Sequence, residues 1–229
     1  MNLFDDPVAF IRHNLLRLGD SLVTLRPEMM GIEGTIVVRL REENENDFIV
    51  SLTRNRKGLM RLMPRCYTAW WQKAANFYWI EYEPNVASQV AFPAYICAYQ
   101  ENTTCVQYLG EAARLMFTFV MTGCTFGVGI PKPDGGVLVG HANATEFASG
   151  NDLDADNTQA RFEQRQGLVA TNMSRAMVEP QNYQDQRAIP PGERDDRRAS
   201  VIGVRTPSAG AAPPRGKWDF YYQIPLVSG

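Results

Sequence analysis

Cys124 and His141 are the residues of this 229-residue chain whose types and spacing most directly describe chemistry. A cysteine becomes a nucleophile when a base helps form its thiolate and an electrophile faces it. The chain holds two histidines, His13 and His141, so the choice of base is nearly closed by count. The stretch Thr118 to His141 reads TFVMTGCTFGVGIPKPDGGVLVGH. An apolar run climbs to Gly123-Cys124 and a second apolar run follows. Pro133-Asp134-Gly135-Gly136 then turns the chain back through Val137-Leu138-Val139 to His141. That pattern predicts a strand–turn–strand unit, whose adjacent arms bring thiol and imidazole within one side-chain reach. Gly123 lets a substrate backbone come close, the Thr122 hydroxyl can donate a hydrogen bond, and Thr125 flanks the thiol on its other side. The backbone N–H of Cys124, with that of a neighbour, is the expected oxyanion donor pair. Thr118, by carbonyl or hydroxyl, is the candidate third group that fixes the imidazole tautomer. From spacing alone, a Cys and a His on neighbouring strands are more often bystanders than partners.

The elements that must position this pair are read from periodicity. Pro7 to Leu18 places Phe10, Ile11, Leu15 and Leu18 on one helical face, with Asp5 or Asp6 as cap and Pro7 in the first turn. His13 sits on that helix between Arg12 and Asn14 and reads as a structural or solvent-facing residue. Ser21 to Leu25, Gly34 to Leu40 and Asp47 to Leu52 read as strands, with a charged turn over Arg41 to Asp47. Pro64 to Glu83 is dense in aromatic residues (Tyr67, Trp70, Trp71, Phe77, Tyr78, Trp79, Tyr82), and Trp79 to Tyr82 alternates as a strand does. Trp70-Trp71 suits core packing or a partner anchor. Gln107 to Phe119 is expected to begin as a helix, on the propensity of Gly110 to Met116, and to change state near Thr118. Glu146 to Ala199 is a polar excursion of loops with one or two short helices, such as Thr158 to Gln166. Ser200 to Arg205 and Trp218 to Leu226 close the chain as two strands around the loop Pro207 to Gly216. Because that apolar pair must pack on something, residues 1–229 read as one domain, with 146–199 as the excursion and 200–229 as the closing strand pair. The expected fold class is α/β, a mixed β-sandwich core flanked by helices.

Composition bounds the remainder. A hydrophobic fraction of 45% supports a packed core, and a net charge of −2 argues against a nucleic-acid partner. The one basic cluster, Arg54, Arg56, Lys57, Arg61 and Arg65, reads as a solvated loop, with an acidic partner patch as the alternative. No apolar run reaches membrane-spanning length, and the acidic N-terminus lacks the order of a secretory signal, so no membrane association is expected. Cys66, Cys97, Cys105 and Cys124 form no C-x-x-C pair, which disfavours a metal site; without a secretory signal they read as reduced thiols. No heptads suggest an oligomer, and a monomer is expected.

Phe117-Thr118-Phe119-Val120-Met121-Thr122-Gly123-Cys124, followed by a β arm and His141, resembles the Cys–His glutamine deamidases. That superfamily includes the catalytic domain of the cytotoxic necrotizing factors, Burkholderia lethal factor and the chemoreceptor glutamine deamidases. Thr122-Gly123-Cys124 matches the family's Ser-Gly-Cys step with one hydroxyl for another. Thr118 stands at the family's spacing before the cysteine, and the Phe117-Thr118-Phe119 context looks most like the lethal factor. The match covers Phe117 to His141 only. It implies a mixed α/β sandwich with the site at the sheet edge and Cys124, His141 and Thr118 as catalytic residues. It further implies hydrolysis of a glutamine carboxamide to glutamate in a target protein, without a cofactor. The implied setting is a bacterial toxin or effector, made in the bacterial cytoplasm and acting on a host protein in the host cytosol. A transglutaminase on the same residues and a non-catalytic interaction module are the alternatives.

Overall fold

Long segments of β-branched and aromatic residues, paired on both edges, make this chain mostly strand. In the computed structural model, residues 3–22, 25, 29–42, 55–62, 69–73, 76–85, 87–147, 158–184, 193–195, 198–207 and 216–228 are described. The strand expected over Asp47 to Leu52, and Arg54, Arg65, Cys66 and Tyr67, lie outside the described residues, as do the side chains of Arg56, Lys57, Arg61, Trp70, Trp71 and Phe77. The strands are β1 (Asn14–Leu18), β2 (Thr35–Glu42), β3 (Asn55–Leu62), β4 (Ala69–Lys73), β5 (Asn76–Tyr82), β6 (Ala91–Cys97) and β7 (Thr104–Leu109). They continue as β8 (Leu115–Thr118), β9 (Thr125–Val128), β10 (Val137–Ala142), β11 (Ala176–Val178), β12 (Glu193–Asp195), β13 (Ser200–Thr206) and β14 (Lys217–Ser228). Among the described residues three α-helices accompany them: α1 (Pro7–His13), α2 (Thr158–Ala170) and α3 (Pro180–Gln184).

The class is mixed α/β of a sandwich-like kind, dominated by two sheets. The larger has ten strands in the order β1-β5-β2-β6-β8-β13-β14-β3-β4, with β12 also pairing β14. The smaller runs β11-β9-β10-β7. Between the sheets, Tyr95, Met116, Val201, Phe220 and Tyr222 of the larger meet Leu109, Phe126, Val128, Val137 and Val139 of the smaller. The Phe126 and Phe220 rings stand 5.9 Å apart across that layer. On the far side of the larger sheet, Phe10 and Ile11 of α1 pack on Ile36, Val38 and Ile80. On the outer side of the smaller sheet, Leu168 of α2 and Met173 pack on Ala142.

Three local expectations are corrected. The first helix stops at His13 instead of running to Leu18. Asp6 caps its start by accepting the Ala9 N–H at 2.9 Å, and Pro7 follows. Asn14 ends it, because its Nδ2 takes the Phe10 carbonyl at 2.8 Å and its backbone turns extended. Asn14 to Leu18 then pairs parallel to β5, with Leu15 and Leu16 both buried. Gln223 fixes this change of state by donating to the Ile11 and Asn14 carbonyls and accepting the Leu16 N–H. In the second correction, Ser21 and Leu22 belong to a 3-10 turn over Asp20–Leu22, not a strand. In the third, Gln107 to Phe119 holds no helix. Gln107 to Leu109 ends β7, Gly110 donates to the Tyr95 hydroxyl at 3.1 Å, and Leu115–Thr118 is a fully buried strand between β6 and β13. A single turn's worth of helix propensity does not outweigh pairing on both edges of a central strand.

The basic cluster is no loop where it is described: Arg56, Lys57 and Arg61 belong to β3, which pairs with β14 and β4. Two further readings hold. The closing pair is β13 and β14, antiparallel over Ser200 to Thr206. The turn at 133–136 is present: Gly135 donates to the Lys132 carbonyl, Lys132 to the Gly136 carbonyl, and Asp134 Oδ1 accepts the Gly136 N–H. The excursion contributes α2, which runs on to Ala170, together with β11, α3 and β12.

Candidate active site

β10 is the central carrier of the site. His141 pairs with Phe126 of β9 on one side and with Cys105 of β7 on the other. Directly opposed residues in a ladder point to the same face, and Phe126 belongs to the layer between the sheets. His141 therefore faces inward, and it is fully buried. One step beyond the β9–β10 ladder, Cys124 stands opposite Asn143, two residues from Phe126 and His141 respectively. Cys124 is inward as well, 3% exposed, and lies a diagonal step from the imidazole. The hairpin reading thus brings Cys124 and His141 to one end of the space between the sheets.

Gly123 delivers the thiol. Its φ of 132° lies where a side chain is strained, so glycine is required by the backbone itself. Two side chains from the excursion hold the step. The Tyr183 hydroxyl accepts the Gly123 N–H at 2.9 Å and donates to the Cys124 carbonyl at 2.8 Å. Gln164 of α2 donates to the Gly123 carbonyl at 2.9 Å, and its Oε1 accepts the Thr125 hydroxyl at 2.5 Å. The bidentate pair Arg165–Glu179, together with Asn182 on the Glu179 N–H, ties α2 to the segment that carries Tyr183.

Asn143 supplies the contact to the nucleophile. Its Nδ2 donates to Cys124 Sγ at 3.4 Å. Its Oδ1 accepts from the Asn102 N–H, the Thr145 N–H and the Thr145 hydroxyl, at 3.0, 3.1 and 2.6 Å. Three donors on one oxygen settle which end of the amide faces the sulfur. Tyr99, just past β6, lays its ring 5.5 Å from the imidazole and is 43% exposed, so one side chain touches both His141 and solvent.

Burial sets the protonation states. It pushes the Cys124 thiol up to about 11, against the hydrogen bonds from the Asn143 side chain and the Thr122 backbone, which pull it down. It pushes His141 down to about 4. Burial, then the proximity of Cys124 and Glu101, raises Tyr99. Burial also raises Cys97 and Cys105, and Cys97, Cys105 and Cys124 are all free thiols. The closed site holds a neutral thiol beside a neutral imidazole, and neither ring nitrogen has a hydrogen-bonding partner.

The remaining expected site residues divide. Thr118 is not the orienter of His141. It is buried in β8, its Oγ1 accepts the Val201 N–H at 2.9 Å, and no hydrogen bond joins it to the imidazole. Thr122 is exposed at the mouth, while the buried Thr125 hydroxyl points outward to Gln164. The Gly123 N–H is taken by Tyr183, and the donor fixed on the sulfur is the Asn143 amide. His13 is on α1, far along the chain from this end of the small sheet. Asn143 was within reach of sequence reasoning, since a residue two past His141 on a strand shares its face. Tyr99, Gln164 and Tyr183 carry no local signal. Among the described residues, no group of three or more His, Cys, Asp or Glu side chains could hold a metal, and no helix is long and apolar enough to cross a membrane. The sequence matches no protein-family model and no curated protein.

Proposed function

We propose that this chain is a protein glutamine deamidase in which Cys124 is the nucleophile and His141 the proton carrier. The observation that carries the reading is the inward-facing pair at one end of the sandwich, with an amide donor fixed on the sulfur. In the proposed cycle the Sγ proton passes to His141 as sulfur attacks the carboxamide carbon, and the carbonyl electron pair moves onto oxygen. The C–N bond then breaks and ammonia leaves with the proton from His141. Water attacks the thioester, giving a proton to the imidazole, and the tetrahedral adduct expels the sulfur. Cys124 regains its proton and the product is glutamate. This chemistry needs neither metal nor cofactor. The resting pair is neutral and covered, so displacement of Tyr99 by the incoming side chain is the opening step. The partner class is a protein that presents a glutamine, in the setting of a bacterial effector acting inside a host cell.

The test is peptide mapping of host-cell lysate incubated with the wild type and with Cys124→Ser. A gain of about one dalton at a glutamine, seen with the wild type alone, supports the deamidase. A gain equal to the mass of a whole amine points to transglutamination on the same site. Identical maps count against both.

One observation favours a different reading. Cys124 and His141 are 3% and 0% exposed, as packing residues of a binding module would be. Thiol labelling separates the two. A live site alkylates Cys124 ahead of Cys97 and Cys105, with a rate that falls in His141→Ala; a packing pair shows neither behaviour.

A further inference from the structure

Asn143 is not needed to explain the Cys124–His141 pair, yet it is the side chain best fixed on the reacting sulfur. It is 6% exposed. Its Oδ1 is saturated by three donors from residues 102 and 145, which leaves Nδ2 no freedom to turn away. Nδ2 carries two hydrogens, and Sγ at 3.4 Å is its recorded partner. When sulfur bonds to a carbonyl carbon, the carbonyl oxygen lies on an atom adjacent to sulfur. A rigid donor already at sulfur is then placed to reach that oxygen as it becomes an anion.

We propose that Asn143 is a catalytic residue of this site, donating from Nδ2 to the oxyanion that forms when Cys124 attacks a carbonyl carbon. The proposal rests on the Cys124–His141 nucleophile reading and deepens it, because it adds a fixed side-chain amide to the backbone donor expected at Cys124. Preorganisation is its physical basis. An amide held by three bonds does not reorient when charge develops, whereas water or a mobile side chain does.

Two electrophiles separate this role from mere support of the thiol. Iodoacetamide alkylates sulfur by displacement at a saturated carbon and forms no oxyanion. p-Nitrophenyl acetate acylates sulfur through a tetrahedral oxyanion. Both rates are followed at Cys124 by peptide mass in the full chain, for the wild type, Asn143→Ala and Asn143→Asp. Asn143→Asp keeps the shape and the Oδ1 acceptor, so it reports even if the alanine variant folds poorly. The expected result is that acylation falls on the order of 10²-fold further than alkylation in both variants. Asn102→Gly removes the loop bond to the Glu146 N–H but keeps the Asn143 side chain. It should change the two rates by the same factor. Equal losses of acylation and alkylation in the Asn143 variants, or no loss in either, overturn the proposal. A wild-type Cys124 inert to both reagents instead overturns the nucleophile reading on which it stands.

Discussion

Replacing His141 with glutamine should flatten the acid limb of this protein's stability profile. In the folded chain the imidazole is fully buried and held at about 4, against an ordinary value of 6.5. The unfolded chain therefore binds more protons than the folded one throughout that window. By linkage, stability rises with pH wherever the unfolded state holds the extra proton. The His141 contribution is fully present above 6.5, drains away as pH falls toward 4, and changes no further below it. A displacement of that size corresponds to about 3 kcal/mol at 1.36 kcal/mol per pH unit. The assay is urea denaturation of the wild type and His141→Gln at pH 7.5, 6.5, 5.5 and 4.5, read as the difference between the two proteins at each pH. Subtraction removes the carboxylates, which titrate in both. The wild type should lose most of that 3 kcal/mol, relative to the variant, between the first and last points. If the two proteins lose stability in parallel, the imidazole is solvated in solution. The buried, neutral base and the need to displace Tyr99 would then both be wrong.

Tyr183→Phe removes a hydroxyl that serves both the Gly123 N–H and the Cys124 carbonyl, so it should cost about 2 kcal/mol in urea denaturation and slow alkylation of Cys124; unchanged values would show the clamp to be dispensable. Gly123→Ala forces a side chain onto a φ of 132° and should cost on the order of 1–3 kcal/mol, with loss of His141-dependent labelling of Cys124; a variant of wild-type stability would contradict that backbone. Thr118→Val strips the acceptor from the Val201 N–H and should cost about 1–3 kcal/mol while Cys124 labelling keeps its dependence on His141. Loss of that dependence would restore Thr118 as an orienter.

The hairpin was the legible part, because Pro133-Asp134-Gly135-Gly136 is local turn chemistry between two apolar arms. The register of those arms places Cys124 and His141 on the same inward face. Leu15 to Leu18 misled because leucines fit a helical face as well as a strand, and the cap at Asn14 is a single residue. Glu111 to Met116 misled for the opposite reason: its local preference is helical, but β8 takes its state from β6 and β13, which lie far away in sequence. The third residue was read as Thr118, from its place before the cysteine and from the resemblance alike, whereas the side chain on the sulfur is Asn143. Gln164 and Tyr183 were beyond reach because each acts on the Gly123 step from the polar excursion, where nothing local announces a contact.

The spacing between α2 and the small sheet bears on how this chain can change over time. Gly127 and Gly140 oppose each other on β9 and β10, on the face that α2 covers. A methyl group on Gly127 would run into the Met173 backbone carbonyl, and one on Gly140 would stand 2.6 Å from Met173 Cε and 2.9 Å from Leu168 Cδ2. The Gly140 neighbours are ends of flexible side chains and can turn aside, whereas the Gly127 neighbour is backbone and must move as chain. Met173 follows α2 directly, and α2 carries Gln164, the residue that grips the Gly123 carbonyl. An alanine at Gly127 would thus press on the segment that leaves α2 without touching Cys124, while one at Gly140 should be absorbed by repacking of Met173 and Leu168.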